Sequence, residues 1–142
     1  MYIVRMLWRL LGTLSNNHLL MIGLGGALGS ICRYQLGRLL PQLTPVEEFP
    51  LGTFLVNILG SFLLGLCVGI TAQGWPKALA GWIGFLSTGF CGGFTTFSTF
   101  QMETFQLLRS GRLVLALANV GGSLLAGLVS FGLGLALGMR LA

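Results

Sequence analysis

Four stretches nearly free of charge divide this chain, and their lengths constrain its fold more than any other feature. Leu19 to Gly37 is interrupted only by Arg33; Leu51 to Trp75 holds no charge and is fenced by Pro50 and Pro76; Ala78 to Met102 lies between Lys77 and Glu103, and Leu113 to Met139 between Arg112 and Arg140. A helix needs about 20 apolar residues to cross the hydrocarbon core of a bilayer, and each stretch supplies them. The pattern predicts an all-α membrane protein with four transmembrane helices, at about 19–40, 51–75, 78–108 and 113–139. A soluble fold is excluded by the same scarcity: charged residues are 8% of the chain, against about 25% in soluble domains. The connections are too short to fold separately, so residues 19–142 form one domain.

The inventory of ionisable groups excludes most enzyme classes. Glu47, Glu48 and Glu103 are the only carboxylates, His18 is the only imidazole and Asp is absent, whereas general acid–base and metal-assisted hydrolysis need clusters of such groups. The net charge of +5 comes from basic residues scattered singly between apolar runs, without the stripe that binds nucleic acid. They read instead as anchors at anionic lipid surfaces. Cys32, Cys67 and Cys91 are far apart and lie inside apolar runs, so each is expected to be a plain buried thiol. Residues 1–18 mix Arg5, Trp8 and Arg9 with apolar residues and end in Ser15, Asn16, Asn17 and His18. This extension is expected to be an interfacial amphipathic helix or the product of a misassigned start. Trp75 and Trp82 fall at or near a span end, where an indole straddles the interface.

Orientation is balanced. One face carries Arg5, Arg9, Lys77 and Arg140, the other Arg38, Arg109 and Arg112, joined by Arg33 if that residue is counted. With no positive-inside bias, copies can insert in opposite senses and pair as an antiparallel, dual-topology homodimer. Four helices are also few to enclose a pathway, which independently suggests a dimer.

Small and polar residues recur at steps of four: Gly25, Gly29, Arg33 and Gly37; Thr53, Asn57, Ser61, Gly65 and Gly69; Asn119, Ser123 and Gly127. Such steps follow one helix face, and close packing through small residues accounts for most of the glycines. It does not account for Asn57, because an amide in hydrocarbon is costly and marks function or an interhelical hydrogen bond. The same two readings stand for Ser123 and Asn119.

In the third span, Gly92 and Gly93 followed by Thr95 and Thr96 make a poor helix. A break near mid-span is expected there. Backbone freed at that depth must line a cavity or meet a partner, and its carbonyl oxygens suit a small hard cation such as Na⁺. Phe97 and Phe100 share one face of the helix that resumes. Two readings stand for them, apolar packing or the use of their positive ring edges, together with uncharged donors, to replace water around a small anion. Arg33 is either a snorkelling side chain or a structural, anion-attracting group at a pore mouth, and Glu103 caps the aqueous end of its span.

Gly26-Ala27-Leu28-Gly29 with Arg33-Tyr34, the run from Gly52 to Ser61, and above all Gly89 to Phe100 closely resemble the CrcB/Fluc family of fluoride channels, from about Leu19 onward. The resemblance implies antiparallel homodimers in the bacterial inner membrane, with two narrow fluoride pores and a structural Na⁺ held by the carbonyls of Gly92 and Thr95. It also implies that Phe97 and Phe100 line the pore with Asn57, Thr53 and Ser123. Where this chain has Asn119 and Gly127, some relatives carry Tyr and Ser. The implied activity is passive fluoride export: HF enters neutral, dissociates in a less acidic cytoplasm, and the anion leaves down its gradient. The competing class, a small multidrug-resistance proton-coupled antiporter, uses a Glu in its first span, where this chain has only Arg33.

Overall fold

The structure, a computed structural model, describes residues 17–40, 49–72, 74 and 80–142. Expectations about residues 1–16, the acidic pair Glu47 and Glu48, and Trp75 fall outside the described residues. Every regular element described is helical. In chain order they are α1 (Asn17–Leu39), α2 (Leu51–Thr71), α3 (Ala80–Ile83), a π-helix (Gly84–Cys91), α4 (Gly92–Phe94), α5 (Phe97–Arg109) and α6 (Leu113–Leu141). Helix α1 thus takes in Asn17 and His18, which the sequence reading set apart with the extension. Three helices, α1 from His18, α2 and α6, are long and apolar enough to cross a membrane. The third stretch is the broken series from α3 to α5, none of whose helices is among the three.

The ends of these elements have local causes. Pro50 precedes the first residue of α2, where its fixed φ suits helix entry. Helix α5 ends in a Schellman motif: Arg112 N–H donates to Leu107 O at 2.8 Å and Gly111 N–H to Leu108 O at 3.1 Å. Gly111, at φ +75°, is the residue able to take that left-handed step. The turn sends α6 back at once.

The break lies elsewhere than the glycines suggest. Gly92, Gly93 and Phe94 are helical, and the extended residues are Thr95 (φ −82°, ψ 156°) and Thr96 (φ −147°, ψ 116°). Gly93 is needed for contact instead of flexibility, because a Cβ there would come within 3.0 Å of Gly26 Cα and carbonyl carbon on α1. β-branched Thr favours extended backbone, and Thr96 Oγ1 caps α5 by accepting from Thr99 N–H at 3.3 Å. The π-helix before the break was not anticipated; such wide turns recur at functional sites.

Helix α2 packs most extensively on α6. A Cβ on Gly138 would lie 2.8 Å from Ile70 N, and one on Gly134 2.9 Å from Leu66 N. Backbones approach this closely only through glycine, the small-xxx-small contact of membrane helices. Helix α1 packs on the π-helix and α4. This arrangement fixes the break between α1 and α2.

Candidate functional site

At the break, helical hydrogen bonding is replaced by side chains from two neighbouring helices. Ser30 Oγ and Arg33 Nε of α1 both donate to Gly93 O, at 3.4 and 3.1 Å. Asn57 of α2 pairs in both directions with Thr96: Thr96 N–H donates to Asn57 Oδ1 at 2.8 Å, and Asn57 Nδ2 donates to Thr96 O at 3.2 Å. Buried backbone polar groups must be paired in a medium without water, and these contacts meet that demand for Gly93 and Thr96.

Two carbonyls are treated differently. The N–H that would return to Gly92 O in a continuous helix belongs to Thr96, and it is committed to Asn57. The N–H that would return to Thr95 O belongs to Thr99, and it is committed to the Thr96 hydroxyl. Among the described residues no side chain donates to either carbonyl. These are oxygens of the hard, uncharged kind that suits Na⁺, so the residues present fit the ion that the resemblance implies.

Beside the break lies a cavity of about 510 Å³, whose wall includes Asn57, Gly92, Thr95, Phe97, Phe100 and Ser123. Six of the candidates from the sequence therefore meet in one place. Among the described residues no charged one is in its lining. Ser61, Ser87 and Thr95 return their hydroxyls to the carbonyls four residues back, Asn57 O, Ile83 O and Cys91 O, the local back-bonding that Ser and Thr commonly show. Ser123 does not. Its Oγ is buried without a hydrogen-bond partner among the described residues, which leaves a donor uncommitted on the cavity wall.

The phenylalanine rings lie 5.9 Å apart between centroids and are tilted by 39°. Phe100 is 9% exposed, but Phe97 is 72% exposed. Behind Phe100, Thr104 Oγ1 donates to its carbonyl at 2.7 Å and itself accepts from Asn119 Nδ2 at 2.9 Å. Asn119, 1% exposed, is thus a strut between α6 and α5. Gly127 faces α2, where a Cβ would be 3.7 Å from Ser61 Oγ.

Thr53 and Arg33 are separated from this group. They line a smaller cavity of about 200 Å³ with Tyr34, Arg38, Thr99 and Glu103. Thr53 Oγ1 donates to Glu103 Oε1 at 2.8 Å. That bond ties Glu103 to α2, a role the sequence reading did not assign when it made Glu103 a simple cap, and its buried Oε2 has no hydrogen-bond partner among the described residues. Thr96 belongs to both cavities and was also missed; the Thr-x-x-Thr spacing before α5 was the available signal. Helix α1 presents Tyr34 and Arg38 together at its end, Arg38 Nη1 donating to Tyr34 Oη at 3.2 Å.

A family model described as CrcB-like protein, Camphor Resistance (CrcB), matches residues 20–135. A protein of Pyrococcus abyssi named fluoride-specific ion channel FluC is 44% identical over 121 residues, 85% of this chain and 95% of the relative. Proteins of the same name from Ignicoccus hospitalis and Geotalea daltonii are 44% and 45% identical, over 87% and 81% of this chain and 96% and 91% of theirs. The family model spans most of the chain and the relatives match over nearly their full length, so this chain belongs to the CrcB family.

Proposed function

We propose that this chain is a passive fluoride-selective channel of the cell membrane that exports fluoride from the cytoplasm. The observation that carries the reading is the 510 Å³ cavity walled by uncharged donors and aromatic rings, with an uncommitted Ser123 hydroxyl and, among the described residues, no charged side chain. A small anion entering it trades water for the Ser123 O–H, the second N–H of Asn57 and the positive edges of Phe97 and Phe100. A fixed cation in that wall would hold the anion; donors alone let it leave. Arg33, bound to Gly93 O and facing the smaller cavity, contributes attraction at the mouth and order at the break. The names of the relatives support fluoride as the anion.

The working unit in this reading is an antiparallel homodimer. Its support is the balanced distribution of Lys and Arg and the exposure of Phe97 on the flank of the cavity. Gly92 and Thr95 of each copy would hold one structural Na⁺ through their carbonyls, which supplies the positive charge those oxygens lack within one chain.

The test is flux from liposomes containing only this protein. Fluoride leaves down its gradient, chloride is retained, and neither an imposed Na⁺ gradient nor a proton gradient drives net fluoride movement. Uphill fluoride transport on either gradient would replace the channel reading with a coupled carrier.

A further inference from the structure

The hydrogen bond between Asn119 and Thr104 fixes the register of α6 against α5. The two helices run in opposite directions from the turn at Gly111, and Asn119 Nδ2 donates to Thr104 Oγ1 at 2.9 Å. One turn forward along α6 from Asn119 is Ser123, and one turn back along α5 from Thr104 is Phe100. Ser123 and Phe100 therefore stand at one level, and both line the 510 Å³ cavity. Asn119 and Thr104 do not line it; they form the rung directly behind it. The Thr104 hydroxyl has a single proton, committed to Phe100 O at 2.7 Å, so its oxygen can only accept from Asn119. The chain of bonds thus runs from α6 through Thr104 to the backbone of Phe100. Both bridging residues are buried, Asn119 at 1% and Thr104 at 8% exposure.

We propose that Asn119 is a specificity-determining positioning residue: through Thr104 it sets the gap between the Ser123 hydroxyl and the Phe100 ring to a width that admits fluoride and excludes chloride. The inference rests on the channel reading above. Uncharged donors and positive ring edges attract any halide with the same sign, so discrimination between two halides must come from fit. Their radii differ by a fraction of an ångström, and a contact set holds such a tolerance only when the residues behind it are locked by packing and hydrogen bonds. Apolar contacts are not directional and let packed helices slide. A hydrogen bond is directional, and in a dry interior it is stronger than in water. The Asn119 bond is placed where a small relative shift of α5 and α6 would open the gap first.

The experiment measures chloride and fluoride efflux from liposomes holding the full chain and takes their ratio. A purely structural role changes the amount of working protein and leaves that ratio untouched. Asn119→Leu keeps the branched outline of the side chain without its polar atoms, and Thr104→Val removes the hydroxyl from the other end of the same bond. Each should raise the chloride-to-fluoride ratio about tenfold, the scale set by one buried hydrogen bond. Thr104→Ser keeps the hydroxyl and should keep the parent's ratio. Because the two residues act through one bond, the double variant should shift the ratio no further than either single one. If Asn119→Leu does not fold, Thr104→Val and Thr104→Ser decide the question between them. Lowered flux or an earlier melting point with the parent's ratio, or a double variant whose effects add, overturns the role of Asn119. A parent that does not prefer fluoride fails the channel reading itself and this inference with it, so the two failures are told apart by the protein in which they occur.

Discussion

Asn57 and Thr96 hold each other by a reciprocal amide pairing, 2.8 Å from Thr96 N–H to Asn57 Oδ1 and 3.2 Å from Asn57 Nδ2 to Thr96 O. The side-chain amide of α2 stands where a neighbouring peptide would stand in a sheet, and it lets two residues remain extended in the middle of the broken helical series. One N–H of Asn57 is left over for the cavity. The structural and the anion-contacting readings of this residue are therefore compatible.

Asn57→Ala leaves the N–H and C=O of Thr96 unpaired, at a cost of about 1–3 kcal/mol for each buried group. A lowered thermal midpoint in detergent is expected together with a loss of fluoride flux. Asn57→Asp keeps the acceptor for Thr96 N–H but loses the donor, and should also be destabilised. A variant with lost flux and unchanged stability would show that the pairing does not hold the break.

The adjacent glycines should respond in opposite ways. Gly93→Ala drives a methyl into the backbone of Gly26, and overpacking of this kind costs about 1–3 kcal/mol; the single chain itself should be destabilised. A Cβ on Gly92 meets nothing within 4 Å, so Gly92→Ala should leave the subunit fold intact and act only where a second copy approaches. Light scattering and flux are the measurements. A Gly92→Ala protein that still forms dimers and conducts normally would argue against a carbonyl site between subunits.

Phe97→Ile and Phe100→Ile preserve apolar bulk and remove the positive ring edge. Both should reduce flux. They should differ in stability, because Phe100 is buried and Phe97 is 72% exposed: only the Phe100 variant should melt earlier. If both conduct like the parent, the rings are packing elements.

Prolonged exchange from Na⁺ into a large organic cation should lower activity slowly, as an ion held between subunits leaves. Because the donors are backbone carbonyls, Thr95→Ser should be mild in the same assay. Activity indifferent to the exchange would remove Na⁺ from the assembly.

Reporter fusions at either terminus should reveal both orientations in the membrane, or one that flips when a few Lys are added to a single loop. One orientation that resists such additions would count against an antiparallel homodimer of this chain alone.

Three of the four expected spans, α1, α2 and α6, were legible because membrane crossing is a one-dimensional property, set by the length of a run and its lack of charge. The existence of a break was legible too, in the weak helix propensity of the segment from Gly92 to Thr96. Its position was not. Two glycines look like the flexible point in a linear reading, but in the fold Gly93 is required by the approach of α1 and stays helical, while the two threonines take the extended conformation. Asn57, Phe97, Phe100 and Ser123 could be chosen by their chemistry, since polar groups and clustered rings stand out against a chain that is 54% hydrophobic. Only tertiary structure assigned partners: Thr53 to Glu103, Arg33 to Gly93, Asn119 to Thr104. The reason is physical. Periodicity determines which face of a helix a residue occupies, but which carbonyl loses its donor and which side chain replaces it depend on the register between helices, and that register is set by glycine contacts such as Gly134 on Leu66 and Gly93 on Gly26.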